Sequence, residues 1–138
     1  IASARREGVL ADAVLGTPGV GTVVHARPTR VSARKLWIGF ATAANGRVVV
    51  DDGARRALLE RGVSLLPAGV HAVEGDFVAD DAVEIAGPDG AVFAKGLSRL
   101  GATDLRTVAG RRSADIPEGL STLVVHRDDL VIVPERRT

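Results

Sequence analysis

Cysteine, methionine and tyrosine are all absent from this chain, which has one tryptophan and three phenylalanines in 138 residues. Without cysteine there is no disulfide, no thiolate metal site and no cysteine nucleophile, as expected of a cytoplasmic protein. So few aromatics leave few faces on which bases or sugars could stack. Lysine is nearly missing too, with Lys35 and Lys95 standing alone in an otherwise arginine-based set of cations. Arginine enrichment suits planar recognition of phosphate, and it suits a high-GC genome equally well. No apolar run approaches the ~20 residues that cross a bilayer. Ile1–Leu10 carries Arg5, Arg6 and Glu7, which does not match a signal peptide. No membrane partner is therefore expected. With Ile1 first and no methionine, the chain reads as processed or as a piece of something longer.

What is present suits one compact domain with a short appended segment. The apolar fraction is 46%, mostly Ala, Val and Leu, enough for an aliphatic core without metals or disulfides. The net charge of +1 makes no global demand for nucleic acid.

Residues 1–33 differ from the remainder. Gly8-Val-Leu-Ala-Asp-Ala-Val-Leu15 predicts two helical turns ended by Gly16, Thr17-Pro18-Gly19 a turn, and Gly21-Thr-Val-Val24 a strand. One short helix and one short strand cannot enclose a core. Ala26-Arg-Pro-Thr-Arg-Val-Ser-Ala-Arg-Lys35 reads as a basic linker, with Arg27, Arg30, Arg34 and Lys35 unrelieved by any acid.

From Lys35 onward the pattern becomes strand-like. Leu36-Trp-Ile-Gly-Phe40 predicts a strand, Asn45-Gly46 a turn, and Arg47–Val50 a β-branched strand. Asp51 and Asp52 then suit a helix start, and Gly62 its stop. Val70–Glu74 alternates as a strand. Ala82–Ala86 and Ala91–Ala94 flank the turn Gly87-Pro-Asp-Gly90 as a hairpin. Thr103 suits the cap of a second short helix ended by Gly110. Thr122–Val125 and Leu130–Val133 read as two last strands joined by His126–Asp129. The pattern amounts to a small, mainly β pseudo-barrel with two short α-helices.

Four ordered blocks sharpen this: Val48-Val-Val-Asp-Asp-Gly-Ala, Ser64-Leu-Leu-Pro-Ala-Gly-Val, Glu74-Gly-Asp-Phe and Val125-His-Arg-Asp-Asp-Leu. Together they resemble the C-terminal PUA domain of the bacterial glutamate 5-kinase family, over about Arg34 to Val133. Ile1-Ala-Ser-Ala-Arg-Arg-Glu-Gly-Val-Leu followed by Gly21-Thr22 is similar to the end of that family's α/β amino-acid-kinase domain. The resemblance implies residues 1–33 as a kinase-domain remnant plus linker and residues 34–138 as a PUA-like pseudo-barrel. It also implies a parent enzyme that uses ATP and magnesium to phosphorylate L-glutamate at the start of proline synthesis. The partners it implies are the kinase domain of the same parent chain, with a homo-oligomer and RNA left open.

Catalytic groups are not expected here. Gly16-Thr-Pro-Gly-Val-Gly21 has the wrong spacing for a dinucleotide loop, and no Gly-x-x-x-x-Gly-Lys-Ser/Thr occurs. His126-Arg127-Asp128 resembles a protein-kinase catalytic loop but has Val133 where that loop needs asparagine. It reads better as a polar turn. His25, His71 and His126 lack metal-ligand spacing, and the pairs Asp80-Asp81 and Asp128-Asp129 read as solvated turns. No catalytic, cofactor or metal site is therefore assigned, and no cofactor is expected for these residues themselves. The alternative function is an RNA-binding module. PUA domains use their first helix and neighbouring strands as an RNA groove, which would enlist Arg55, Arg56 and Arg61 with Lys95 and Arg99. Arg111 and Arg112 could add charge. Glu60, Asp51 and Asp52 beside the helix arginines oppose that reading.

Overall fold

A computed structural model describes residues 1–25 and 31–136, so the linker residues Arg27 and Arg30 lie outside it. Two units are distinguished, Ile1–Arg30 and Val31–Thr138, and each is described by itself.

In the first unit Val9–Val14 forms helix α1, which buries none of its residues. The strand expected over 21–24 is not formed. A single antiparallel bridge joins Ala2 to Gly21, and the Ile1 ammonium donates to the Thr22 carbonyl at 2.7 Å. Among the described residues Val23 and Val24 have no pairing partner, and both are exposed, so their β propensity has nothing to act on.

The second unit opens with helical structure where a strand is expected. Leu36–Phe40 is helical and not a strand: α2 spans Ala33–Leu36 and runs directly into a π-helical turn over Trp37–Ala41. The Ser32 hydroxyl caps α2 by accepting from the Lys35 amide at 3.3 Å. Burial explains the outcome, because Ile38 and Gly39 are both buried. Adjacent residues of a strand point to opposite faces and could not both enter one core.

Five strands follow: β1 (Gly46–Val50), β2 (Val70–Gly75), β3 (Ala82–Ala86), β4 (Val92–Leu97) and β5 (Leu130–Arg136). They make one mixed sheet in the order β2-β1-β3-β4-β5, in which β1 and β3 are parallel and the other pairs antiparallel. Gly46, expected in a turn, already pairs with Gly75 and opens β1. Between β1 and β2 lies α3 (Asp52–Arg61). The Asp51 carboxylate accepts from the Ala54 amide at 2.7 Å, and Gly62 ends α3 at φ 58° as the sequence predicts.

Helix α4 spans Ala102–Val108 with Gly101 at its cap, so Thr103 lies inside it. Ala102 is fully buried and its amide donates to the Phe77 carbonyl at 2.8 Å, which replaces a side-chain cap. The expected strand over 122–125 is only a bridge between Leu65 and Val125. Val124 and Val125 are both buried, against the alternation a half-buried strand needs. β5 therefore pairs with β4, placing Ile132 opposite Ala94 and Val131 opposite Lys95.

Alternation divides the core. Val48, Val50, Val83 and Ile85 face Leu58, Phe93, Leu105 and Val125 in the larger cluster. Ala82, Ala86, Val131 and Val133 pack with Ile38 on the opposite face. Every buried side-chain nitrogen or oxygen among the described residues has a partner.

Candidate nucleic-acid interface on helix α3

The five cations singled out from the sequence do not form one surface. Arg55 is half-buried. Its guanidinium donates to Asp89 at 3.4 Å and to Glu135, and lies 5.5 Å from the Phe93 ring centroid. A stacked guanidinium paired with two carboxylates pins α3 to the β3–β4 turn and to the end of β5. Its charge is matched within the domain. Lys95 donates through Nζ to the Thr42 carbonyl. It stands opposite Glu84, whose carboxylate accepts from Arg47 at 3.1 Å, on the sheet face that packs beneath Ile38 and away from α3. Arg99 donates to Asp129 at 3.0 Å and approaches Asp80 at 4.0 Å.

Arg55 and Arg99 thus engage opposite ends of β5, at Glu135 and Asp129. Six residues of chain separate those acids, at most about 20 Å at ~3.3 Å per residue, with the bulge in β5 shortening that span. Arg56 and Arg61 are exposed and make no ion pair or hydrogen bond among the described residues, and they are the cations of the set left available to an external phosphate. Arg111 and Arg112 are exposed as well.

Arg61 borders a groove of about 360 Å³ between α3 and the Val63–Gly69 segment, with Asp51 near its other end and Ala54, Ala57, Leu66 and Ala68 along it. Close packing defines its floor. A Cβ on Gly69 would sit 2.5 Å from the Ala54 Cβ, and the Asp51 amide donates to the Gly69 carbonyl at 3.0 Å. Chemically it is an apolar channel with one cation and one anion, and not a basic track.

The acidic pairs also separate. Asp128 is exposed, whereas Asp129 is 4% exposed and accepts from Arg34 Nε at 2.6 Å and from Arg99. The expected solvated turn is a 3₁₀ turn over Arg127–Asp129, whose Asp128 amide donates to His126 Nδ1 at 3.2 Å. The aliphatic flanks on both sides of His126–Asp129 were the available sign that one carboxylate would be drawn inward. Asp81 accepts from the Val78 amide at 3.0 Å. That bond first, and one with Asn45 second, hold its carboxyl below the ordinary value. Among the described residues no three His, Cys, Asp or Glu side chains converge to hold a metal ion, and no helix is long and apolar enough to cross a membrane. Trp37 and Phe40, which are not among the site residues expected from the sequence, stand exposed on the π-helical turn. Their signal was two aromatics in one apolar pentapeptide of an aromatic-poor chain.

Comparison with known proteins finds relatives over most of the chain. Residues 46–120 match the family model described as PUA domain. A glutamate 5-kinase of Mycobacterium avium (strain 104) is 46% identical over 123 residues, which cover 89% of this chain and 34% of that protein. The glutamate 5-kinase of Mycobacterium tuberculosis (strain ATCC 25618 / H37Rv) is 43% identical over 123 residues, 89% of this chain and 33% of its own length. The chain therefore spans about a third of the length of these curated relatives. Among solved structures, a PUA domain from Aeropyrum pernix K1 in a tartrate complex superposes with a TM-score of 0.47 at 28% identity, covering 60% of this chain and 43% of that one. The family match runs from β1 through α3 and on past α4, over more than half of the chain, and the chain therefore belongs to the PUA domain family.

Proposed function

We propose that this chain is the accessory PUA domain of a glutamate 5-kinase, without catalytic groups of its own, and that it serves assembly, stability or regulation of that enzyme. The observation that carries this reading is the identity of 46% over 123 residues to a glutamate 5-kinase of which it spans 34%. The parent transfers the γ-phosphate of ATP, with magnesium, to the side-chain carboxylate of L-glutamate. On this reading that chemistry belongs to the remaining length of the parent. Residues 1–33 are the end of the catalytic domain and the linker. That α1 buries none of its residues supports this, since so short a helix stays folded only against a larger body. The test compares the complete parent polypeptide with these 138 residues in an assay of glutamate-dependent ADP release. Turnover by the parent and none by the shorter chain is expected. A parent that does not respond to glutamate refutes the assignment.

A second reading, an RNA-binding module, has one observation in its favour: Arg56 and Arg61 are exposed and unpaired on α3 beside an open groove. Fluorescence anisotropy with labelled tRNA at two salt concentrations tests it. Binding that weakens steeply with salt and falls with Arg56→Ala and Arg61→Ala supports an RNA module. Absence of binding at low salt removes it.

A further inference from the structure

Phe77 and Phe93 are buried in the larger core, while Trp37 and Phe40 stand 53% and 66% exposed on one π-helical turn. The turn buries Ile38 with Val131 and Val133 and brings Gly39 against Val131, leaving Leu36, Trp37 and Phe40 facing outward. Half of a scarce aromatic complement is therefore placed in water at one spot. Aromatic side chains are enriched in the cores of protein interfaces, and π-helical turns recur at functional sites.

The neighbouring charges indicate what kind of surface this patch meets. Arg34 donates to the buried Asp129, and Lys35 donates through Nζ to the Arg127 carbonyl at 3.0 Å. Both cations are turned onto the domain's own acceptors, so among the described residues the patch offers mainly aromatic and aliphatic surface. That suits an apolar protein face and does not suit a phosphate backbone. Its position indicates which protein. The patch starts six residues after the junction between Arg30 and Val31, and most of the length of the curated relatives lies outside the match. A body tethered through so short a stretch is held at roughly millimolar effective concentration, at which a small apolar patch is enough to dock.

We propose that Leu36, Trp37 and Phe40 are the docking surface through which this domain seats on an apolar face of the kinase's catalytic body. The inference rests on the reading of the chain as part of a glutamate 5-kinase. Hydroxyl-radical footprinting of the complete parent and of the 138-residue chain reads the two aromatic side chains directly. Labelling of Trp37 and Phe40 is expected to fall about tenfold in the parent relative to the dilute chain, as for groups moved from solvent into a protected interface. Equal labelling in both overturns the proposal. So does protection already present in the chain alone and lost on dilution, which would make a second copy the occupant, or protection that appears only when tRNA is added. The ADP-release assay on the same parent preparation keeps the two failures apart. A parent that shows the footprint but no glutamate turnover refutes the enzyme assignment and leaves the docking surface standing.

Discussion

Replacing Asp129 by alanine should destabilise this domain far more than the same change at its neighbour Asp128. Asp129 is 4% exposed and holds two guanidinium groups, Arg34 at 2.6 Å and Arg99 at 3.0 Å. A hydrogen bond to a charged group contributes about 1.5–3 kcal/mol, so two would suggest about 3–6 kcal/mol. Both arginines reach water, however, with side chains 60% and 44% exposed, and on losing the carboxylate they rehydrate instead of remaining buried and unpaired. That discount brings the expected loss to about 2–3 kcal/mol. Asp128, with its side chain 75% exposed, should cost less than about 0.5 kcal/mol. Urea unfolding followed by far-ultraviolet circular dichroism reads both values from shifts of the midpoint at constant slope. A double-mutant cycle with Arg99→Ala should return a coupling of about 1 kcal/mol between the partners. Equal effects of the two alanine substitutions, or an Asp129 loss below about 0.5 kcal/mol, would refute the idea that this acid clamps the first helix of the domain to its last strand.

Other perturbations bear on the same framework. Arg55→Ala should cost about 1–2 kcal/mol through loss of its stacked and doubly paired guanidinium, while Arg56→Ala stays within about 0.5 kcal/mol; equal values by chemical denaturation would contradict the division of the two arginines. Gly69→Ala sets a methyl 2.5 Å from the Ala54 Cβ, and an overpacking loss of about 1–3 kcal/mol is expected in the same measurement, with an unchanged midpoint as the refuting result. Asp81 has its folded value lowered beneath the ordinary 3.8, so its carboxylate stabilises the fold above that pH and the contribution disappears as pH falls through the lowered value. The thermal midpoints of wild type and Asp81→Asn should therefore differ at neutral pH and converge in acid. A gap that stays constant throughout would oppose the assignment.

Sequence and structure agree where local chemistry and periodicity point the same way. Asp51 and Gly62 bracket α3 because a carboxylate cap and a left-handed glycine are local requirements that few other residues meet. Likewise β3 and β4 form the expected hairpin about Gly87–Gly90. Leu36–Phe40 misled because five apolar residues carry no period of their own, and only the contact of Ile38 and Gly39 with β5 decides for a helix. The pairing of β5 with β4, in place of residues 122–125, is a long-range choice that no local pattern announces. The candidate site was legible in composition only. Arg55, Arg56, Arg61, Lys95 and Arg99 are visible in the sequence as cations, but whether each meets an acid depends on which strands lie side by side. Arg55 spans to Glu135 and Arg99 to Asp129, contacts that β5 alone makes available.

The Arg34–Asp129 bond joins positions 95 residues apart and sets the domain's opening helix against its closing strand. The anchor of the first helix is therefore a residue that reaches the fold only with the last strand, so a chain cut short before Asp129 would lose the hold on its opening helix together with β5.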